Sequence, residues 1–396
     1  MTEKYNKTVI TSAPGKVIVF GEHAVVYGKT AIAGSLGLRC YAKVEKINKN
    51  IVCLNLPDLK MEKSFPIEQL TKIKNNLDID IRSPKPIDSD IKKKLITIGQ
   101  PFDSFAVEQA TISFLYLFLC IAPEIIPVKV EVKSFLPVGA GLGSSAAYGV
   151  SLVSALLTFF GYIEVDKFNE KDNLKFINDW AFIAEKIAHG NPSGLDNSVS
   201  TFGKAQAFTK GNLTALESFS SCRFILTNTN VPKNTKVQVQ NVRDLYNNYP
   251  TVINPILDSI HNIGERCKEL FNGEKSEEEI INELKSMIDV NHYLLCSLNV
   301  GHEKIEKIRQ ITQKFGFHSK ITGAGGGGCM LTFVPKGSNE DVINKVKTEL
   351  QNNNFSCYDT TIGGNGVAVH QFNDDYINKE EANLLESIFI TNKKKN

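Results

Sequence analysis

Short alternations of apolar and polar residues open the chain, and longer apolar runs follow. Residues 8 to 20 read Thr-Val-Ile-Thr-Ser-Ala-Pro-Gly-Lys-Val-Ile-Val-Phe, which predicts a strand, a Pro-Gly break and a second strand. Val128, Val130 and Val132 alternate with Lys129, Glu131 and Lys133, a period of two that predicts a half-buried strand. Residues 105–122 have the length and apolar content of a core helix, and residues 150–160 predict a buried one that ends near Gly161. In residues 174–190, Ile177, Trp180, Ala181, Ala184, Ile187 and Ala188 recur at helical spacing. A strand beginning at Phe224 opens a second unit. Residues 252–316 read as largely helical, with turns at Gly273 and Gly301, and a helix over 341–350 and a strand over 366–370 close the unit. Mixed strands and helices give an α/β (α+β) fold. A chain of 396 residues exceeds one core, so two domains are expected, residues 1–222 and 223–396.

The stretch between the Val128 strand and the Val150 helix carries the strongest chemical signal. It reads Pro137-Val-Gly-Ala-Gly-Leu-Gly-Ser-Ser-Ala-Ala-Tyr148. Gly139, Gly141 and Gly143 permit positive φ and remove the Cβ atoms that would hold a ligand off the backbone. Unpaired N–H groups of the first helical turn then form an anion site suited to a polyphosphate. No Gly-Lys-[Ser/Thr] follows, so this is not a P-loop, and Ser144 replaces the third glycine of a dinucleotide fingerprint. Ser144 and Ser145 stand where a hydroxyl could cap the helix or ligate a phosphate-bound Mg²⁺.

Other polar residues interrupt apolar surroundings. Lys16 sits at the Pro-Gly break, and Glu22 and His23 lie between apolar segments. Read alone, Lys16 is a turn lysine and His23 a core histidine. Glu185 ends the 174–190 helix, and Asp196 follows in a Gly/Pro-rich loop, a spacing that lets two carboxylates converge. Alone, each has a blander reading, a solvent-facing helical glutamate and an Asx-turn aspartate. The run Thr322-Gly-Ala-Gly-Gly-Gly-Gly328 costs conformational entropy and supplies no packing. It predicts a backbone lying against something bulky, such as a phosphate or the facing glycine loop.

Composition narrows the class. Hydrophobic residues at 42% and charged residues at 22% describe a soluble globular protein. A net charge of +2 argues against nucleic acid as the main partner. Eight scattered cysteines, without Cys-x-x-Cys or a signal peptide, fit a reducing cytoplasm. The longest apolar run, residues 112–122, is too short to span a bilayer, so no membrane partner is expected.

Taken together these segments resemble the superfamily of galactokinase, homoserine kinase, mevalonate kinase and phosphomevalonate kinase (GHMP kinases). The glycine loop is similar to its ATP loop, Ser12-Ala-Pro-Gly-Lys16 with Gly21-Glu-His-Ala-Val-Val to its N-terminal motif, and Thr322–Gly328 to its C-terminal one. Within the superfamily, Gly21-Glu-His-Ala-Val-Val, His189-Gly-Asn-Pro-Ser-Gly-Leu-Asp-Asn and His318-Ser-Lys-Ile-Thr-Gly resemble the mevalonate kinases.

The resemblance implies a ribosomal-S5-like N-terminal domain and a ferredoxin-like C-terminal domain with the active site between them. It implies transfer of the ATP γ-phosphate to the C5 hydroxyl of (R)-mevalonate in isoprenoid and sterol biosynthesis, with Mg²⁺. Carried over by residue, Gly139, Ala140, Gly141, Leu142, Gly143, Ser144 and Ser145 wrap the phosphates, with Ser134 near the nucleotide. Ser145 and Glu185 hold the metal. Asp196 orients or deprotonates the attacking hydroxyl, and Lys16 beside it offsets developing charge and contacts ATP. Glu22, His23 and Thr235 shape the mevalonate pocket. A homodimer and feedback inhibition by prenyl diphosphates are implied as well. Lys233 and Lys236 stand where animal members carry arginines, and Asp58 replaces an asparagine often found beside adenine, so Asp58 is not assigned to the site.

Two alternatives follow. Among other GHMP kinases, a phosphomevalonate kinase would need extra basic residues for its phosphorylated substrate, and a galactose kinase would carry a sugar-binding motif near the N-terminus, which is not found. A non-catalytic nucleotide sensor would have lost Lys16 or Asp196, and both are present.

Overall fold

A computed structural model describes residues 5, 8–137, 140–216, 222–232, 234–370, 385 and 387–389. The chain opens with β1 (Thr8–Phe20), β2 (Ala31–Lys46), β3 (Ile51–Leu56) and β4 (Met61–Pro66). Three helices follow, α1 (Ile67–Lys74), α2 (Ser89–Gly99) and α3 (Phe105–Ile121), then β5 (Val128–Ser134). Helices α4 (Ser144–Phe159), α5 (Lys171–His189) and α6 (Leu195–Phe202) lead to β6 (Ala205–Thr209), β7 (Asn212–Leu216) and β8 (Cys222–Asn228). The rest comprises α7 (Thr235–Asn248), α8 (Pro250–Asn272), α9 (Glu277–Ser297), α10 (Glu303–Lys314), β9 (His318–Thr322), β10 (Cys329–Val334), α11 (Glu340–Asn352), β11 (Ser356–Ile362) and β12 (Ala368–His370).

The long strand β2 is the hub. Its second half pairs antiparallel with β5, its first half with β6, and much of its length with β1. Strands β11, β8, β10 and β9 continue the sheet in that order. One register pair, Ile362 with Leu36, joins this C-terminal part to β2. Apolar positions divide in the same way. One core gathers α3, α4 and α5 under the β1–β5 sheet, and a second gathers α8, α10 and α11 under β9 and β10.

Helix α4 explains why the site is rigid. From Ala146 to Phe159 all but Tyr148 are buried, so the helix is enclosed on every side against β1, β2 and α5. Its N-terminus is therefore fixed in the middle of the molecule.

Two expectations are revised. Residues 8–20 form one continuous strand, not two. The Pro-Gly pair makes a register shift between Pro14 and Lys16 within the β1–β2 ladder, a bulge that re-aims the lysine. The strand near residues 366–370 does not close the C-terminal unit: β12 returns to pair with β1 through Ile10, Thr11 and Ser12. The polar tract near residue 90 is helix α2, started by Asp88, whose carboxylate accepts from the N–H groups of Asp90 and Ile91.

Candidate active site

The bulge in β1 delivers Lys16 into a cleft. Its N–H donates to the Leu142 carbonyl at 2.8 Å, tying the strand to the glycine loop. The approach is close enough to require glycine on both sides. A Cβ at Gly15 would lie 2.4 Å from Leu136 Cδ2 and 2.7 Å from the Leu142 carbonyl. Gly143 has φ +67°, and a Cβ there would lie 3.3 Å from the Lys16 side chain and 3.6 Å from Asp196 Oδ2. Gly143, rather than a serine hydroxyl, caps α4, and no side chain bonds the first turn. Ser144 and Ser145 sit inside that turn, half-buried, so their hydroxyls and the uncapped N–H groups face outward together.

The loop residues behave differently from one another. Ala140 and Leu142 bury their side chains in the core and offer only backbone to a ligand. Gly141 is exposed with φ +74°. Gly139 lies outside the described residues, as does Lys233.

Opposite the loop, Asp196 occupies the first turn of α6, not an Asx turn. Gly194 at φ +82° starts this helix, and the helix N-terminus favours a carboxylate there. Asp196 Oδ1 meets Lys16 Nζ at 2.8 Å, the lysine buried and the aspartate partly open to the cleft. Glu185 ends α5 beside them with its side chain 4% exposed. No partner reaches its Oε1, and its other oxygen lies 3.9 Å from His189 Nε2. Burial first, and the Asp196 charge second, push the Glu185 carboxyl up from 4.5 to about 7. His189 also meets Ser145 Oγ at 3.0 Å.

Two cavities meet here. A cleft of about 530 Å³ is bounded by Lys16, His23, Asp196, Thr235 and Lys236. A second cavity of about 270 Å³ runs past Ser134, Ser144 and Ser145 between apolar walls that include Leu56, Phe105 and Ala110. Glu185 and His189 line both. Asp58, left out of the site on sequence grounds, lines the second cavity and accepts from the Ser134 N–H at 2.6 Å.

Glu22 forms part of the cleft wall, yet its carboxylate is spoken for. Lys320 Nζ donates to Oε1 at 2.5 Å, and Asn291 donates to Oε2 at 3.2 Å. Both members of the ion pair are buried, which raises the Glu22 pKa and lowers that of Lys320, while their mutual attraction opposes each shift. His23, at φ +61°, donates from Nε2 to the Ala324 carbonyl at 3.0 Å, and burial lowers its pKa. These contacts join the N-terminal motif to the second glycine run. Gly323 and Ala324 of that run line the cleft, and its later glycines lie against bulky neighbours. Cβ atoms at Gly325, Gly326 and Gly327 would strike Val300, Gln238 and Val231. Lys320 and Asn291 were missed from sequence; the one available sign was a lysine within the otherwise uncharged strand around β9.

Comparison with known proteins follows this geometry. The model for the GHMP kinases N terminal domain matches residues 110–204, and that for GHMP kinases C terminal matches residues 276–352. The chain is 38% identical to Homo sapiens mevalonate kinase, over 92% of this chain and 96% of that protein. The chain belongs to the mevalonate kinase family. Dictyostelium discoideum mevalonate kinase is 36% identical over 93% of this chain and 98% of its own length. The fold matches Methanococcus jannaschii mevalonate kinase with a TM-score of 0.68 at 23% identity, covering 92% of this chain and all of that one. It matches L. major mevalonate kinase, solved in complex with R-mevalonate, with a TM-score of 0.66 at 19% identity over 92% of this chain and 100% of that one. The GHMP kinase fold, a mixed α/β architecture with N- and C-terminal domains, is therefore the fold of this family member.

Within this family member the Glu22–Lys320 pair makes a stability prediction. Lys320→Met leaves a buried carboxylate without a cation and should cost about 3–5 kcal/mol in denaturant unfolding. Adding Glu22→Gln to the same chain should restore most of the loss. A single Lys320→Met variant as stable as the parent contradicts the assignment.

Proposed function

We propose that the chain transfers the γ-phosphoryl group of ATP to the C5 hydroxyl of (R)-mevalonate, giving 5-phosphomevalonate and ADP in isoprenoid and sterol biosynthesis. The observation that carries this reading is the Lys16–Asp196 pair facing an uncapped helix N-terminus, with the orphaned Glu185 between two cavities. The apolar-walled cavity suits adenine, with Ser134 near the nucleotide. The N–H groups and hydroxyls of Gly141 to Ser145 suit its phosphates. The larger cleft suits mevalonate, with His23 and Thr235 on its wall and Glu22 positioning that wall through Lys320 and Asn291. The domain boundary near residue 222 belongs to the same reading, since β8 begins the part of the sheet that continues into β10 and β9.

The donors fit Mg²⁺. A buried carboxylate oxygen without a partner beside a serine hydroxyl is a hard-oxygen set, and Mg²⁺ takes few protein oxygens in phosphate-transfer sites. Glu185 and Ser145 would hold it, and the ion would neutralise phosphate charge when bound. Asp196 orients the attacking hydroxyl and accepts its proton. Lys16 sits where negative charge grows during transfer, at no reorganisation cost because the ion pair already holds it. The homodimer implied by the resemblance and the cytoplasmic location expected from the scattered cysteines belong to the same proposal; no helix among the described residues is long and apolar enough to cross a membrane.

Asp196→Asn should lower kcat on mevalonate by ~10²–10⁴-fold with KM little changed, as for loss of a positioned acid–base group. ADP release measured with mevalonate, phosphomevalonate, homoserine and galactose checks substrate and variant together. Preference for another substrate, or a folded variant with near-parental kcat, refutes the reading.

Prenyl diphosphates such as farnesyl diphosphate should inhibit in competition with ATP. The diphosphate uses the same N–H groups, and the prenyl tail gains roughly 25 cal/mol per Å² of apolar area buried in the walled cavity. Inhibition should strengthen from five to fifteen carbons. Inhibition that excess ATP fails to relieve, or none at all, rules out the shared site.

A further inference from the structure

Away from the cleft, α9 and α10 bring together three donors of different chemistry. His292 and Cys296 stand one helical turn apart on α9, and Glu306 lies on the first turn of α10. His292 Nε2 is 3.1 Å from Glu306 Oε1, and Cys296 Sγ is 3.6 Å from each of those two atoms. Zinc bonds of about 2.05 Å to nitrogen and oxygen and about 2.3 Å to sulfur, at tetrahedral angles, separate N from O by about 3.3 Å and S from either by about 3.6 Å. The three atoms thus already stand near the corners of one face of a zinc tetrahedron.

Without an ion, Glu306 Oε1 accepts from both the His292 Nε2–H and the Cys296 thiol; with an ion, the same three atoms become its ligands. The other ring nitrogen of His292 is buried with no partner, so coordination through Nε2 leaves a buried N–H there, a cost that the metal bonds must exceed. Imidazole, thiolate and carboxylate together suit Zn²⁺, whereas the all-oxygen donors beside the glycine loop suit Mg²⁺.

We propose that His292, Cys296 and Glu306 bind Zn²⁺, with a water molecule as the fourth ligand. Glu306 has a side chain 43% exposed, which gives the ion and the water a route from solvent. Binding sends the thiol proton to solvent, and the thiolate and carboxylate together neutralise the ion. The site is linked to the cleft through the chain itself. Asn291, next to His292 on α9, donates to Glu22. An ion that pins α9 to α10 therefore steadies the frame in which Glu22 is held.

Co²⁺ serves as the spectroscopic probe. The full chain, stripped with a chelator and titrated with Co²⁺, should develop a thiolate-to-cobalt charge-transfer band in the near ultraviolet that saturates at one equivalent and is displaced by Zn²⁺. Cys296→Ser should abolish the band, and Glu306→Gln should weaken Co²⁺ binding by at least about 10-fold. Kinase turnover with Mg²⁺ should persist in both variants and reports that they are folded. No band in the parent chain, or a band that survives Cys296→Ser, overturns the proposal.

Discussion

Carboxylates gathered in a water-poor cleft must each find positive charge, and the arrangement of this molecule follows from that constraint. Burial in a medium of low dielectric makes an unpaired carboxylate costly. Glu22 is met by Lys320, and Asp196 by Lys16 and the N-terminus of α6. Glu185, nearly as buried as Glu22, forms no salt bridge with a lysine or arginine among the described residues, and the pull of Lys16 on it is outweighed by burial and by the Asp196 charge. The structure therefore holds an unmatched negative charge where the two cavities meet. A kinase that must bind a metal-bound nucleotide needs such a deficit. A lysine beside Glu185 would stabilise the empty protein and compete with the ion.

Backbone geometry serves the same end. The β1 bulge turns Lys16 toward Asp196, and the Lys16 N–H grips the Leu142 carbonyl. Gly15 leaves no room for a Cβ at that crossing, and Gly143 sits at a positive φ that glycine adopts without strain. The charged pair and the N-terminus of α4 are thus held by one set of contacts, and the enclosed body of α4 makes that set rigid. A side chain at Gly143 would strain the backbone and crowd Lys16.

Much of this was legible in the chain. The alternation of Val128 to Lys133 gave the strand, the apolar run after Tyr148 gave the helix, and the glycines between them gave the loop that leads into the helix N-terminus. Local rules reach that far because each involves neighbours in sequence. The partnership of Glu22 with Lys320 spans 298 positions, and no local pattern records it. The Pro-Gly pair misled, since a bulge and a strand break share the same residues and differ only in the neighbouring ladder. The glycine run at 325–328 was legible as a close approach of backbone to bulky groups, but not as to which groups. Its close approach is to Val300, Gln238 and Val231, apolar and amide groups that nothing in the run itself identifies. Asp58 was not assigned because it replaces an asparagine often found beside adenine; it lines the apolar-walled cavity, and its carboxylate accepts from the Ser134 N–H.

On the proposed function, Mg²⁺ with ATP neutralises the charge on Glu185, and Glu185→Gln tests this most directly. The folded carboxyl sits at about 7, above the 4.5 of an unperturbed glutamate. The folded state therefore binds the proton more tightly, and the group subtracts stability as pH rises from about 4.5 through about 7. In metal-free protein at pH 8, the glutamine variant should be more stable than the parent by at most about 3 kcal/mol, with the two alike near pH 4. At fixed ATP it should also need more Mg²⁺ for half-maximal rate. Coincident Mg²⁺ curves, or a glutamine variant less stable than the parent at pH 8, would contradict the account.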